Sequence, residues 1–119
     1  MARVMVSRLW RYLAVVLMYG IMMLSREFIS PILVHAITLQ IVGGILNDVA
    51  VFYNGELMPV VNLINYADDR HQPLRADTRL KILCDVIPFG DFTIVSIGDL
   101  LMLCSAFLHS YYYMSLFIK

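Results

Sequence analysis

The sequence has few charged residues, and their charges cancel. Charged residues make up 15% of the 119 residues, and nine basic side chains balance nine acidic ones. Typical globular proteins are about 25% charged. A neutral chain offers little for the counterion release that drives nucleic-acid binding, so we expect no nucleic-acid partner. Hydrophobic residues make up 61%, which predicts a single membrane domain, residues 1–119, with the lipid bilayer as its first partner.

Sequence signatures of catalysis and of metal binding are missing as well. The chain has no glycine-rich phosphate loop, no GxSxG and no HExxH motif. Cys84 and Cys104 form neither a CxxC motif nor a zinc spacing, so we expect two free thiols. His71 with Cys84 is only a loose pair of base and nucleophile, and His35 with His109 is only a distant pair of haem or metal ligands. We therefore predict no catalytic residues, no metal and no cofactor.

Three apolar stretches predict three transmembrane helices, since a span takes about 20 residues. The first covers about residues 9–25 and the second about residues 31–53. Pro31 suits the first turn of the second helix, and Asn54-Gly55 suits its end. The third covers about residues 93–118. A signal peptide is the rival interpretation of the first stretch, but no small-x-small cleavage site follows it, so we favour a retained helix.

The predicted fold is an all-α membrane protein with a long, partly structured interfacial loop, residues 54–92, between the second and third helices. Small and amide side chains share one face of the second helix. Gln40, Gly43 and Gly44 belong to this face, because such residues recur there at steps of three and four. Faces of this kind usually pack against another membrane helix, so we assign these three residues to helix packing.

Two acidic residues lie within the predicted spans near one membrane face. Asp48 precedes Asn54 by six residues and Asp99 follows Thr93 by six, which places each roughly 9 Å inside its helix. At this common depth the two carboxylates can meet, and two close buried carboxylates cannot both stay ionised at low cost. Three alternatives stay open for the two carboxylates. They could pair with a basic loop residue such as Arg79, hold a ligand or headgroup, or take up a proton or cation. The candidates for this polar cluster are Asn47, Asp48, Asn54, Arg79, Asp85, Ser96 and Asp99.

Two functions fit these features. The first is a small non-catalytic membrane protein, an accessory or scaffolding subunit that packs against itself or against other membrane protein subunits. Three short helices barely bury their own polar faces, which favours such a partner. The alternative is a membrane module that binds a lipid-like or quinone-like ligand beneath residues 54–91. Asn54, Arg79, Asp85 and Asp99 would then hold the polar end of the ligand.

Several short blocks resemble an uncharacterised bacterial membrane family, catalogued as domain of unknown function 5317. Its pattern is an apolar helix ending in NGG-x-MPV, then TRL, a G-D-x-I-P segment, and SIGD at the start of the last helix. The matching residues are Asn54, Gly55, Met58, Pro59, Val60, Thr78, Arg79, Leu80, Asp85, Ile87, Pro88, Ser96, Ile97, Gly98 and Asp99. The resemblance covers roughly residues 40–105. It implies a polytopic protein of the bacterial cytoplasmic membrane with clustered motif residues, and it implies no reaction.

Two positions depart from the family pattern. Glu56 stands where the pattern has its second glycine, and Cys84 stands where it has the glycine before Asp85. The chain also looks shorter at its N-terminus than many members.

The orientation stays open between two interpretations. Arg3, Arg8 and Arg11 outnumber Arg26, so the positive-inside rule places the N-terminus and the long loop in the cytoplasm. The resemblance implies the reverse, because in the family the basic turn before the motif helix is cytoplasmic, which puts the loop outside.

Overall fold

The structure is a computed structural model that describes residues 2–25, 29–61, 69–91 and 93–118. Most of the described residues are helical, in three helices: α1 (Ala2–Leu24), α2 (Pro31–Tyr53) and α3 (Ile97–Phe117). Pro31 occupies the first turn of α2, where its missing N–H costs no hydrogen bond. Asn54 ends the helix and Gly55 follows with a φ of 79°. Both ends of α2 agree with the sequence prediction.

Two of the helices are long and apolar enough to cross a membrane. These are α2, with a mean hydropathy of 1.6 over its most apolar window, and α3, with 1.3. The apolar part of α1, Leu9–Leu24, is shorter than the apolar parts of α2 and α3. Length and composition therefore support two spans, whereas the sequence predicted three.

The prediction of an all-α fold is confirmed only in part, because the connection between α2 and α3 contains short strands. β1 (Met58–Val60) pairs in parallel with β2 (His71–Pro73), and Val60 also forms a parallel bridge with Asp85. β3 (Ile87–Phe89) pairs with β4 (Thr93–Val95) in an antiparallel hairpin. A proline in each of β1, β2 and β3 disfavours helix, and extended pairing satisfies the backbone groups instead. We call residues 54–61, 69–91 and 93–95 the cap.

Two predicted helix starts also differ from the structure. Helix α3 begins at Ile97, because the preceding β-branched residues pair in β4 and Ser96 caps the helix. Asp99 therefore lies in the first turn of α3, and the argument that placed it roughly 9 Å inside a helix fails. Helix α1 begins at Ala2, several residues before the predicted start at residue 9.

Helices α2 and α3 pack along a face of small side chains. Gly43 and Gly98 lie where the two backbones are in close contact: a Cβ built on Gly43 would lie 2.5 Å from the Gly98 carbonyl oxygen. Nearer the other end, the buried Ser105 hydroxyl donates to the Ala36 carbonyl at 2.6 Å. The apolar core lies where the cap meets α2, and it consists of Ala50, Met58 and Cys84, bordered by Val51, Leu74, Leu83 and Val86.

Candidate functional site

Asn47 joins the two packed helices through a closed set of hydrogen bonds. The buried Ser96 hydroxyl donates to Asn47 Oδ1 at 2.7 Å, and Asn47 Nδ2 donates to Asp99 Oδ1 at 2.7 Å. Ser96 and Asp99 complete a capping box: the Asp99 N–H donates to Ser96 Oγ, and the Ser96 N–H donates to Asp99 Oδ2. The same side chains thus cap α3 and fix it against α2.

This arrangement depends on the glycine at position 98. A Cβ at Gly98 would clash with Asn47 Oδ1 and would lie 2.5 Å from the Gly43 carbonyl oxygen. The two backbones can approach this closely only because neither position carries a side chain. The motif Ser96–Asp99 therefore supplies a cap residue, a close helix contact and a carboxylate partner for Asn47 in four consecutive positions.

The side chain of Asn54 fixes the middle of the cap to the end of α2. Its Nδ2 donates to the carbonyl oxygens of Ala50 and Arg79, each at 2.8 Å, and its Oδ1 accepts from the Arg79 N–H at 2.8 Å. Gln72 reinforces the same region, because its Nε2 donates to the carbonyl oxygens of Asn54 and Leu57. Asn54 and Gln72 therefore act on backbone groups and hold together segments that are distant in sequence.

Strand β1 lies at the centre of the cap. The Pro59 carbonyl accepts a hydrogen bond from the Asp85 N–H at 3.0 Å. The Val61 N–H donates in return to the Asp85 carbonyl at 3.0 Å. On the other side of β1, the Leu74 N–H donates to the Val60 carbonyl at 3.0 Å. The Met58–Val60 segment is buried throughout. This motif segment is therefore a structural centre with its side chains packed inside the cap.

Asp85 is a buried carboxyl with an incomplete set of hydrogen bonds. Only 4% of the residue is exposed, and its Oδ2 lies 3.4 Å from His71 Nε2. Its Oδ1 is buried and has no hydrogen-bond partner. Burial raises the pKa of Asp85 to about 6, the negative charge of Asp99 adds to this rise, and the His71 ring opposes it. The carboxyl thus changes its protonation state close to neutral pH.

Asp48 lies on another side of α2 from Asn47. The Tyr12 hydroxyl of α1 donates to Asp48 Oδ2 at 2.7 Å. Asp99 is bound by Asn47 and Ser96 instead. Asp48 and Asp99, which the sequence argument brought together, therefore contact two different faces of α2. The carboxyl that the negative charge of Asp99 affects is that of Asp85.

The three residues assigned to helix packing divide between two faces of α2. Gly43 contacts α3. Gln40 and Gly44 line a groove of about 180 Å³ between α1 and α2, together with Arg11, Tyr12 and Asp48. Gln40 is exposed, and no other described residue bonds to its amide. A Cβ at Gly44 would meet nothing within 4 Å, so this side of α2 is open to a further neighbour.

Arg79, proposed as a partner for the acids, and the nearby Lys81 both have other partners within the described residues. Arg79 is fixed through its backbone by Asn54, and Lys81 Nζ donates to the Ala76 carbonyl at 2.9 Å. The described part of the chain contains no ion pair between Asp99 and either residue. The described links between the cap and α2 include the Asn54 side-chain amide, which donates to the Ala50 and Arg79 carbonyls.

The thiol of Cys84, considered above as a nucleophile, is held in local hydrogen bonds. Cys84 is fully buried, and its thiol faces the carbonyl oxygens of Arg79 and Leu80. Burial raises the pKa of the Cys84 thiol, and the adjacent Asp85 adds to the rise, which disfavours the nucleophilic thiolate. Within the described ranges, no group of three or more His, Cys, Asp or Glu side chains is arranged to hold a metal ion.

A polar recess of about 290 Å³ opens between the end of α2 and the outer part of the cap. Tyr53 and Asn54 form its helical side, and Arg75, Thr78 and Arg79 form much of its cap side. Its outer rim is ordered by a turn in which the Thr78 N–H donates to the Arg75 carbonyl, and Thr78 Oγ1 accepts from the Arg75 N–H. We call this the α2-end recess.

Three residues of the site were not among the sequence candidates. Gln72 gave no signal, because a single amide in a polar segment resembles an ordinary surface residue. Tyr12 resembles an interfacial anchor of the first helix. His71 was considered only as a partner of Cys84, whereas it lies beside Asp85. One signal pointed toward a residue such as His71: Asp85 lies in an apolar run, and a buried carboxyl there needs a nearby donor.

Comparisons with known proteins give a family assignment and nothing more specific. No curated protein and no solved structure matches the chain. A family model described as "Family of unknown function (DUF5317)" matches residues 3–111, which is most of the chain and includes every motif block discussed above. The chain therefore belongs to the DUF5317 family.

Proposed function

We propose that this chain is a small non-catalytic protein of the bacterial cytoplasmic membrane, with three membrane-crossing helices, that serves as an accessory or scaffolding subunit of a larger membrane assembly. The motif side chains support a structural role. Asn47, Asn54, Gln72, Ser96 and Asp99 all bond to one another or to backbone groups, and they fix the cap on α2 and α3.

The exposure of the helices supports insertion in a membrane. Only 11% of the apolar window of α2 and 6% of that of α3 are buried within the chain. Core helices of soluble proteins bury most of such windows. The apolar part of α1 is similarly open, and Leu13, Val16 and Leu17 are each more than half exposed. A bilayer would cover these faces, and residues 9–25 reach the lower limit of about 17 residues for a third span if Arg11 extends toward the interface.

The observation that carries the proposed subunit role is the exposed amide of Gln40. It lies near the middle of α2, and within the described residues it has no hydrogen-bond partner. Hydrocarbon supplies no donor or acceptor, so an amide at this depth is stabilised by a polar group from another helix. The open space at Gly44, one turn further along, allows such a helix to approach.

The distribution of basic residues supports an orientation with the cap in the cytoplasm. With three spans, the N-terminal segment and the cap lie on one side, and they carry seven of the nine basic residues. The other side keeps Arg26 and Lys119. The positive-inside rule counts Lys and Arg and gives little weight to acidic residues, so the nearly neutral net charge of the cap does not weaken the argument.

Crosslinking in intact membranes tests the subunit role. A photoreactive residue at Ile45, which lines the groove beside Gln40, should give a discrete protein adduct, and the same residue at Phe107 on α3 serves as the control. Gln40→Leu should reduce the Ile45 adduct about tenfold, because an interhelical hydrogen bond in a membrane is worth roughly 1–2 kcal/mol. A clean monomer after mild solubilisation, with no adduct from Ile45, would contradict the proposal.

The binding of a lipid-like ligand is the second candidate, and the α2-end recess favours it. The polar end predicted from the sequence is only partly assembled: Asn54 and Arg79 lie at the recess, whereas Asp85 is buried beside His71 and Asp99 caps α3. Mass spectrometry of the purified protein tests this candidate, because a retained lipid-like or quinone-like molecule would support it. No observation favours a quinone-like ligand over a lipid.

A further inference from the structure

The α2-end recess is preorganised before any ligand arrives. Its inner wall is the Asn54 side chain, which is fixed by three hydrogen bonds to Ala50 and Arg79. Its rim is the turn from Arg75 to Thr78, closed by two hydrogen bonds. A ligand therefore need not order this part of the backbone, which lowers the entropic cost of binding.

The recess carries an excess of positive charge. Arg75 and Arg79 line it with Asp77 as the acidic residue among its lining side chains. In the described part of the chain, neither guanidinium takes part in an ion pair. The Thr78 hydroxyl already accepts a hydrogen bond from the Arg75 N–H, so its own proton can be donated to a ligand. Two arginines and a hydroxyl on one concave surface suit a phosphate group, which guanidinium groups bind through paired hydrogen bonds.

The position of the recess indicates where that phosphate comes from. It adjoins Tyr53, the last residue of α2, whose ring is half exposed. If α2 crosses the membrane, Tyr53 lies at the membrane–water interface, which is a common position for tyrosine. The recess then opens at the depth of the phospholipid headgroups. With the cap in the cytoplasm, it faces the leaflet that carries most anionic lipid.

We propose that the α2-end recess binds the phosphate of an anionic phospholipid headgroup through Arg75, Arg79 and Thr78. This inference rests on the membrane insertion proposed above. It assigns to the arginines a role in ligand binding that is separate from the structural role of the Arg79 backbone. The lipid fixes the height and tilt of the cap relative to the bilayer surface.

Lipid retention tests the inference with the full chain. The protein is reconstituted in vesicles of equal parts phosphatidylglycerol and phosphatidylcholine, extracted gently, and analysed by native mass spectrometry for the lipids that stay bound. Wild-type protein should retain phosphatidylglycerol preferentially. Arg75→Gln and Arg79→Gln should each lower the ratio of retained phosphatidylglycerol to phosphatidylcholine about fivefold, since one basic residue near an anionic surface contributes roughly that factor.

Lys81→Gln is the matched control. It removes the same charge from the cap, but Lys81 does not line the recess. An equal loss in Lys81→Gln, or an unchanged ratio in both arginine variants, would overturn the inference. Displacement of the retained lipid by millimolar glycerol phosphate would assign the site to a soluble phosphate ester and would also overturn it.

Flotation of the same vesicles separates the two proposals. A chain that fails to float with the vesicles overturns the proposed membrane function and this inference together. A chain that floats but shows no preference for phosphatidylglycerol overturns this inference alone. Both arginine variants keep the hydrogen bonds between the Asn54 side chain and the Arg79 backbone, so their melting temperatures should match that of the wild type.

Discussion

The side-chain amide of Asn54 pairs with the backbone of Arg79 as a second strand would. Nδ2 donates to the Arg79 carbonyl and Oδ1 accepts from the Arg79 N–H, each at 2.8 Å. One side chain thereby replaces a backbone pairing across 25 residues of sequence. The third bond, to the Ala50 carbonyl, also satisfies one of the free acceptors at the end of α2.

Asn54→Asp should loosen the cap while conserving the size of the side chain. The variant loses the donor and places carboxylate oxygens against the carbonyls of Ala50 and Arg79. We expect a loss of about 1–3 kcal/mol in stability, measured as a lower melting temperature in detergent, and faster amide hydrogen exchange over residues 69–91. Ser110→Ala, at an exposed position of α3, is the control and should change neither measurement. Unchanged exchange in Asn54→Asp would show that the pairing contributes little.

Gly98→Ala should separate α2 from α3. Its new methyl group would clash with Asn47 Oδ1 and lie 2.5 Å from the Gly43 carbonyl oxygen, both of which are held in packed helices. Overpacking of this kind costs about 1–3 kcal/mol, and here it also breaks the bonds of Asn47 to Ser96 and Asp99. The control is Gly20→Ala in α1, where a Cβ meets nothing within 4 Å and the melting temperature should not fall. Equal melting of the two variants would contradict the close contact.

The stability of the protein should depend on pH through Asp85. Its pKa in the folded chain is raised to about 6 from 3.8, so folding favours the protonated carboxyl. The stabilising contribution of this group is fully present below pH 3.8 and is lost as the pH rises through about 6. Above that pH the loss of stability amounts to about 3 kcal/mol. Asp85→Asn should flatten the dependence of melting temperature on pH between 4 and 8 and raise melting at pH 7.5. Asp91→Asn, in the exposed turn of the hairpin, is the control and should keep the wild-type profile. A profile that stays the same in Asp85→Asn would contradict the assignment.

Glu56→Gly should stabilise the protein. Glu56 has a φ of 74°, a left-handed conformation that costs a residue with a side chain about 1–2 kcal/mol. Glycine adopts this conformation freely but gains entropy when unfolded, so we expect a net increase of about 1 kcal/mol. Glu56→Ala separates this effect from the removal of charge, because alanine keeps the strain and should give no gain. An equal gain in both variants would point to charge as the cause.

The ends of α2 could be predicted because single residues determine them. Pro31 and the pair Asn54-Gly55 act locally, through backbone conformation alone. The start of α3 was misplaced for the opposite reason. Thr93–Val95 continues an apolar run, and only its pairing with Ile87–Phe89 makes it a strand. The spacing Ser96-x-x-Asp99 was nevertheless a readable capping-box signature, and it gives the correct start of α3.

The pairing of side chains across helices could not be predicted from depth alone. Asn47 and Asp48 are neighbours in sequence, yet about 100° of helical rotation separates them, and this decides which one faces α3. The structure directs Asn47 to Asp99 and Asp48 to Tyr12. Asn54 and Arg79 were both candidates for the polar cluster, and the bond between them runs to the backbone of Arg79, which composition and spacing do not reveal.

The position of β1 at the centre of the cap has a consequence for biosynthesis. Both described segments that flank it, His71–Pro73 and the residues around Asp85, are translated before α3. Strand β1 can therefore pair with both segments while α3 is still inside the ribosome. Helix α3 then joins a pairing that has already formed, and Asn47 engages Ser96 and Asp99 at that later step.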